Sequence, residues 1–128
     1  MSLKIGIVEK MPGYHEIALD GRLDTETYAE LEKAATGLLA GNTRGIRLDM
    51  AKVSYISSMG LRVVMKIMKD LKARKGAFQL TNLQPQIKKV FDIAAALPPQ
   101  TVFSTIEEAD AYFDAMQKKA LGQDPDLE

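Results

Sequence analysis

The sequence contains no cysteine, so a thiolate metal site and a thiol redox motif are excluded. It has no excess of either charge, because 17 basic residues balance 17 acidic ones, and no net charge attracts it to nucleic acid or to an anionic membrane. Its apolar runs fall short of the roughly 18 residues that a membrane-spanning helix needs, and its first residues lack the pattern of a signal peptide. We therefore expect a cytoplasmic protein that enters no membrane and binds no nucleic acid.

The composition is typical of one folded domain. The 128 residues are 46% hydrophobic and 27% charged, which suffices for a single packed core without a disulfide or a metal. We expect the domain to cover residues 3–121 and the polar end, residues 122–128, to form a disordered tail.

Apolar periodicity predicts an alternation of strands and helices. The predicted strands cover residues 3–7, 15–19, 46–50, 77–80 and, after a break at Pro98–Pro99, 101–103. Helical spacing predicts four helices, the second of them from about Ser58 to Arg74. The residues predicted to face the core from these helices are Tyr28, Leu31, Ala35, Leu38, Leu61, Val64, Met65, Met68, Leu71, Ile87, Val90, Phe91, Ala94, Ile106, Ala109, Phe113, Met116 and Ala120.

Two of the helix starts carry capping signals. Asp24 is predicted to be the N-cap of the first helix, with Glu26 in its first turn, where a negative charge is favourable. Ser104 followed by Glu107 predicts a capping box at the start of the last helix.

The order of the elements predicts an α/β fold. Strands that alternate with helices are joined by right-handed crossovers into a largely parallel sheet, whereas the turn at Pro12–Gly13 makes the first two strands antiparallel. We expect a single domain with a mixed, mostly parallel sheet of four to five strands and about four helices. In such folds function lies in the loops that leave the carboxyl ends of the strands, and the loop with Ser57 and Ser58 is one of them.

That loop places two hydroxyl groups at the start of a helix. A strand predicted to end near Asp49 leads through a short loop to Ser57, Ser58 and Gly60, where the second helix begins. A hydroxyl in this position can cap the helix, hold an anion or accept a phosphate. From the loop alone, capping is the favoured interpretation, because serine at a helix start is commonplace.

Four segments of the chain together match a known pattern. They are Gly21–Asp24, Leu48–Ile56, Ser58–Leu61 and Asn82–Leu83 before the Pro85 helix. In this order and on these elements they resemble the STAS domain family, specifically the bacterial anti-sigma-factor antagonists. The resemblance covers nearly the whole chain and implies a single STAS-type domain.

The resemblance implies a binding module that is not an enzyme and needs no cofactor. An antagonist of this family binds an anti-sigma factor that is also a serine kinase. Phosphorylation of the loop serine ends the binding, and a metal-dependent serine phosphatase restores it. By position the acceptor is Ser58. Ser57 is the runner-up, because it stands where well-known members carry an acidic residue.

The resemblance and the helical spacing also give a set of partner-binding candidates. Gly60 is expected to leave the loop backbone uncovered, so that a kinase can approach. Arg62, Lys66 and Lys69 lie on one face of the second helix, which is either a solvated face or the rim of a partner interface. The predicted partner-binding residues are Asp24, Ser57, Ser58, Met59, Gly60, Arg62 and Lys66.

Two other functions remain open. Stand-alone STAS proteins also serve as non-switching subunits of larger assemblies, such as stress-signalling complexes or lipid-transport ATPases, although the intact Ser58 favours the antagonist. Asp49 near a strand end would suit a phosphoaspartate receiver or a small enzyme. The first strand, however, lacks the paired acidic residues that hold Mg²⁺ in such a site, and we find no phosphate-binding glycine motif.

Overall fold

The computed structural model describes residues 3–96 and 105–122. The described residues form the elements β1 (Lys4–Met11), β2 (Tyr14–Leu23), α1 (Tyr28–Leu39), β3 (Gly45–Ile56), α2 (Ser58–Ala73), β4 (Ala77–Thr81), α3 (Pro85–Ala96) and α4 (Ile106–Ala120). The predicted fifth strand, the break at Pro98–Pro99, Ser104 and most of the predicted tail lie outside the described residues.

The described strands form one mixed sheet in the order β1-β2-β3-β4. β1 and β2 are antiparallel and are joined by a tight turn in which Gly13 has a φ of +86°, which favours glycine. β2 pairs with β3, and β3 with β4, in parallel. The predicted α/β architecture, with an antiparallel start and a parallel remainder, is confirmed.

One face of the sheet forms the core. Ile17, Leu48 and Leu80 lie in one row across β2, β3 and β4, and the first two are fully buried. On the opposite face, exposed Arg47 lies within 3.4 Å of Glu16 on the neighbouring strand. This alternation follows from the two-residue period of a strand, and each fully buried large aliphatic side chain stabilises the fold by about 1.5–3 kcal/mol.

β3 is longer than predicted. It continues through the segment that was predicted to be a loop and ends at Ile56, directly before α2. Ala51 and Lys52 are both exposed, so the in-and-out alternation breaks there, and the pairing with β2 shifts register at the same place. A bulge-like irregularity of this kind interrupts the period that a sequence pattern depends on.

The buried face of α2 also differs from the prediction. Val63 and Ile67 are buried, whereas Met65 and Met68 are only half-buried. α2 contacts β3, β4, α1 and α4, so it buries a wider arc than a helix that lies on a sheet alone. On α4, Ala120 is exposed and Met116 is half-buried, so the predicted face is wrong at Ala120.

Both predicted helix caps are displaced. α1 begins after Thr27, and the Asp24 carboxylate instead accepts a hydrogen bond from the backbone N–H of Glu26 in the preceding turn. α4 begins after Thr105, whose hydroxyl accepts a hydrogen bond from the N–H of Glu108 at 3.0 Å, one residue beyond the predicted box.

Within the described ranges, no helix is long and apolar enough to cross a membrane.

Candidate functional site

Ser57 is the N-cap of α2. Its backbone is extended, and its hydroxyl accepts a hydrogen bond from the N–H of Gly60 at 3.2 Å. Its own N–H donates to the carbonyl of Leu23 at 2.9 Å, and the residue is only 2% exposed. A serine cap of this kind stabilises a helix by about 1 kcal/mol, so the hydroxyl of Ser57 has a structural role in the interior.

Ser58 is half-buried at the first helical position of α2, and its polar groups point to α4. Its hydroxyl donates to Oδ1 of Asp110 at 2.6 Å, and its backbone N–H donates to the same oxygen at 2.9 Å. The short hydroxyl contact is typical of a hydrogen bond to an ionised carboxylate. The Asp110 side chain thus occupies the place where an anion is favoured at a helix N-terminus.

Gln117 attaches α4 to the end of β3. It is 3% exposed, and its side-chain amide donates to the carbonyl of Ile56 at 2.7 Å while its amide oxygen accepts from the N–H of the same residue at 2.9 Å. Both polar groups of the last β3 residue are satisfied in this way. The sequence prediction missed Asp110 and Gln117. The signal for Gln117 was its position four residues after Phe113, on the buried face of the helix.

An open cleft of about 400 Å³ lies next to Ser57 and Asp110, the hydrogen-bond partner of Ser58, while Ser58 itself is not part of its lining. Its lining residues are Arg22, Asp24, Thr25, Glu26, Tyr55, Ser57 and Asp110. The guanidinium of Arg22 lies 4.1 Å from the centre of the Tyr55 ring, and its Nε is 3.4 Å from the carboxylate of Asp24. Arg22 supplies the positive charge of this lining and is held by a cation–π contact and an exposed ion pair.

Tyr55 stays neutral to unusually high pH. Burial, together with the negative charges of Asp114 and Asp110, raises its pKa to about 12, although Arg22 opposes the shift. In the unfolded chain a tyrosine ionises near pH 10. The stability that Tyr55 contributes is therefore fully present below about pH 10 and is lost as the pH rises toward 12.

This shift predicts a pH-dependent difference between the protein and its Tyr55→Phe variant. The free energies of unfolding in urea should differ by a constant amount from pH 7 to 9. The difference should then fall as the pH rises above about 10, because only the unfolded tyrosine ionises there. The other tyrosines are present in both proteins, so their contributions to the difference in free energy of unfolding cancel. A difference that stays constant through pH 11 would contradict the raised pKa.

Gly60 lies where α2 meets the end of β2. A Cβ atom on Gly60 would stand 2.7 Å from the carbonyl oxygen of Leu23 and 3.2 Å from Cγ1 of Ile56. Gly60 is buried, so the expectation that it leaves the loop backbone uncovered is wrong. A glycine is needed at this position because the backbones of α2 and of the end of β2 approach each other too closely for a side chain.

The outer surface of α2 remains accessible. Met59 is half-buried, and Arg62 and Lys66 are exposed. Lys66 Nζ lies 3.8 Å from Glu32, with both side chains exposed, and such a surface pair contributes at most about 1 kcal/mol. This face is therefore solvated in the free domain and available to a partner.

Asp49 has a structural role in the middle of β3. Hydrogen bonds from the N–H of Ala51 and from the side chain of Asn82 lower its pKa. In the described part of the chain, no group of three acidic or histidine side chains could hold a metal ion. The structure therefore offers no support for the phosphoaspartate interpretation, which needs a bound divalent cation.

Comparison with known proteins agrees with the fold. The STAS domain family profile matches residues 7–109. BtrV of Bordetella bronchiseptica, named provisionally as an anti-sigma factor antagonist, is 31% identical over 106 residues, which is 83% of this chain and 91% of BtrV. The anti-sigma-B factor antagonist of Staphylococcus aureus is 29% identical over 80 residues, 62% of this chain and 74% of its own.

Solved structures show the same fold. The anti-sigma factor antagonist SpoIIAA in its unphosphorylated form aligns with a TM-score of 0.62 and 23% identity over 87% of this chain and 98% of its own. An antagonist from Mycobacterium paratuberculosis aligns with a TM-score of 0.66 and 17% identity over 88% of this chain and 94% of its own. With these matches the family is established, and it is one of regulatory binding domains rather than enzymes. This chain belongs to the STAS domain family.

Proposed function

We propose that this protein is an anti-sigma-factor antagonist whose binding is switched at Ser58. With Ser58 unmodified it binds an anti-sigma factor that is also a serine kinase, and phosphorylation of Ser58 releases it. A serine phosphatase restores the unmodified form. The observation that carries the proposal is the different placement of the two serines. The Ser57 hydroxyl is buried in a helix cap, whereas Ser58 is partly exposed and its hydroxyl is bonded to Asp110, a residue that lines an open cleft. The antagonist names of the Bordetella and Staphylococcus relatives support the proposal.

The switch is a local change of charge. ATP transfers its γ-phosphoryl group to Oγ of Ser58, so that an O–P bond forms, the bond to the β-phosphate breaks, ADP leaves and the hydroxyl proton is lost. Hydrolysis by the phosphatase returns the hydroxyl and releases inorganic phosphate. The modification adds about −1.5 to −2 charges at pH 7. A partner docked over Ser58 would have to desolvate that charge, which costs several kcal/mol when it is unpaired.

The proposed partner surface surrounds Ser58. It comprises Asp24, Met59, Arg62 and Lys66, all at least partly exposed. Ser57 and Gly60 are buried beneath this surface and would act by supporting the loop rather than by contact. Exposed charges on such a rim mainly steer and orient a partner.

Phosphate mapping tests the acceptor assignment. Incubation with ATP and the anti-sigma kinase that co-purifies with the protein should add one phosphate, and mass spectrometry of peptides should place it on Ser58. The Ser58→Ala variant should take up none. Ser57→Ala is the control, because it should remain a substrate while losing about 1 kcal/mol of stability through the lost cap. Phosphate found only on Ser57 would contradict the proposal.

A non-switching STAS subunit is the second candidate. The observation that favours it is the 2.6 Å hydrogen bond between Ser58 and Asp110, since a serine can serve such a structural contact without ever being modified. This function predicts no phosphate uptake and the recovery of a larger assembly, such as a transporter ATPase, in a pulldown. Uptake on Ser58 would exclude it.

A further inference from the structure

We propose that Asp110 is a positioning residue for the Ser58 switch: its carboxylate holds α4 against the unmodified serine and repels the phosphorylated one, so that phosphorylation releases the first turns of α4. This inference rests on the proposed modification of Ser58. It adds a conformational consequence to what would otherwise be only a change of surface charge.

The contacts of Asp110 depend on the chemistry of Ser58. Its Oδ1 accepts hydrogen bonds from both the hydroxyl and the backbone N–H of Ser58, while its Oδ2 lies 3.5 Å from the hydroxyl of Thr25. Phosphorylation replaces the hydroxyl proton by a phosphoryl group, so Asp110 loses its shortest hydrogen bond. The phosphate also competes for the N–H groups at the start of α2, which favour an anion. One of these donors is the N–H that Asp110 now holds.

The surroundings of Asp110 reinforce the repulsion. Asp114, one turn further along α4, lies close enough to Tyr55 to raise its pKa, so a second carboxylate faces the end of β3. Glu107 and Glu108 add negative charge to the first turn of the same helix. A phosphate on Ser58 would therefore meet the most acidic part of α4. Arg22 lines the adjoining cleft, and its positively charged side chain is placed to turn toward the phosphate and pair with it.

The second half of α4 has attachments that do not depend on Ser58. Gln117 bonds both backbone groups of Ile56, and Phe113 is buried in the core. The release should therefore be local: the helix loosens from its start to about Asp110, while its end stays docked.

Hydrogen exchange with phosphoserine inserted at position 58 by codon expansion tests the proposal without any kinase. Phosphoserine should speed amide exchange in residues 106–112 at least tenfold in the protein with Asp110, and by no more than about twofold in the Asp110→Asn variant, where the like charge is absent. A tenfold change corresponds to about 1.4 kcal/mol. Each rate is compared with that of the unphosphorylated protein in the same background, so any structural cost of the substitution cancels.

The controls separate charge from structure. Glu107→Gln removes the same charge from the same helix but leaves Asp110 in place, so the tenfold acceleration should persist. If Asp110→Asn does not fold, Asp110→Ser provides the neutral background. Equal acceleration with and without Asp110, or no acceleration in either, would overturn the inference. Because no kinase takes part, a released α4 together with failed kinase binding would overturn only the proposed function.

Discussion

Replacing Gly60 with alanine is expected to destabilise the domain by about 1–3 kcal/mol, the usual cost of overpacking a tight interior. The added Cβ would stand 2.7 Å from the carbonyl oxygen and 2.8 Å from Cγ of Leu23. The carbonyl cannot simply move away, because it also accepts a hydrogen bond from the N–H of Ser57, the N-cap of α2. The substitution should therefore disturb the serine loop as well as the stability.

Gly37 provides the matched control. It is exposed in the interior of α1, and a Cβ atom there would meet nothing within 4 Å. Gly37→Ala should therefore stabilise the domain by up to about 1 kcal/mol, the normal gain from alanine in a helix. Urea unfolding of both variants measures the contrast. Stabilisation by Gly60→Ala would show that the close approach at Leu23 does not exist.

Ser58→Asp is expected to weaken binding to the anti-sigma kinase at least 100-fold, or about 2.7 kcal/mol, whereas Ser58→Ala should bind within a few-fold of the natural protein. The aspartate places a permanent charge where a docked partner would have to desolvate it. Alanine adds no charge and loses only the hydroxyl contact with Asp110. Surface plasmon resonance with the immobilised kinase measures both affinities.

Ser54→Asp is the control for this pair. Ser54 is exposed on β3, so the same change adds the same charge away from the start of α2. It should leave the affinity nearly unchanged. Equal affinities for Ser58→Asp and Ser58→Ala would remove Ser58 from the interface and contradict the switch.

The fold could be predicted because its elements carry regular patterns. Apolar periodicity of the strands, their alternation with helices and the turn at Pro12–Gly13 were enough to predict a mixed sheet with an antiparallel start. The full length of β3 could not be predicted, because exposed Ala51 and Lys52 interrupt the alternation at the register shift. Pairing with β2, which the local sequence does not reveal, continues the strand to Ile56.

The buried arc of α2 shows a similar limit. An apolar stripe predicted from helical spacing assumes that the helix packs against a single neighbouring element. That assumption favoured Met65 and Met68 as buried residues over Val63 and Ile67. The helix has neighbours on several sides, so branched residues outside the stripe are buried and the two methionines lie at its margin. Only the tertiary arrangement decides between these faces.

The candidate site was predictable in position but not in composition. The serines at the start of α2 stand out in the sequence, and the structure distinguishes them, since Ser57 is the buried cap. Asp110 is 52 positions from Ser58, so no local pattern could join the two. Asp110 follows an acidic first turn, which is typical of a helix N-terminus, and that ordinary explanation conceals its contact with the serine.

Isothermal titration of the anti-sigma kinase with the unmodified and the Ser58-phosphorylated protein tests the switch most directly. The unmodified protein should bind, the phosphorylated protein should bind at least 100-fold more weakly, and treatment with a serine phosphatase should restore the original affinity. This loss of about 2.7 kcal/mol is what an unpaired, desolvated charge at the interface predicts. Equal affinity of the two forms would contradict a phosphorylation switch at Ser58.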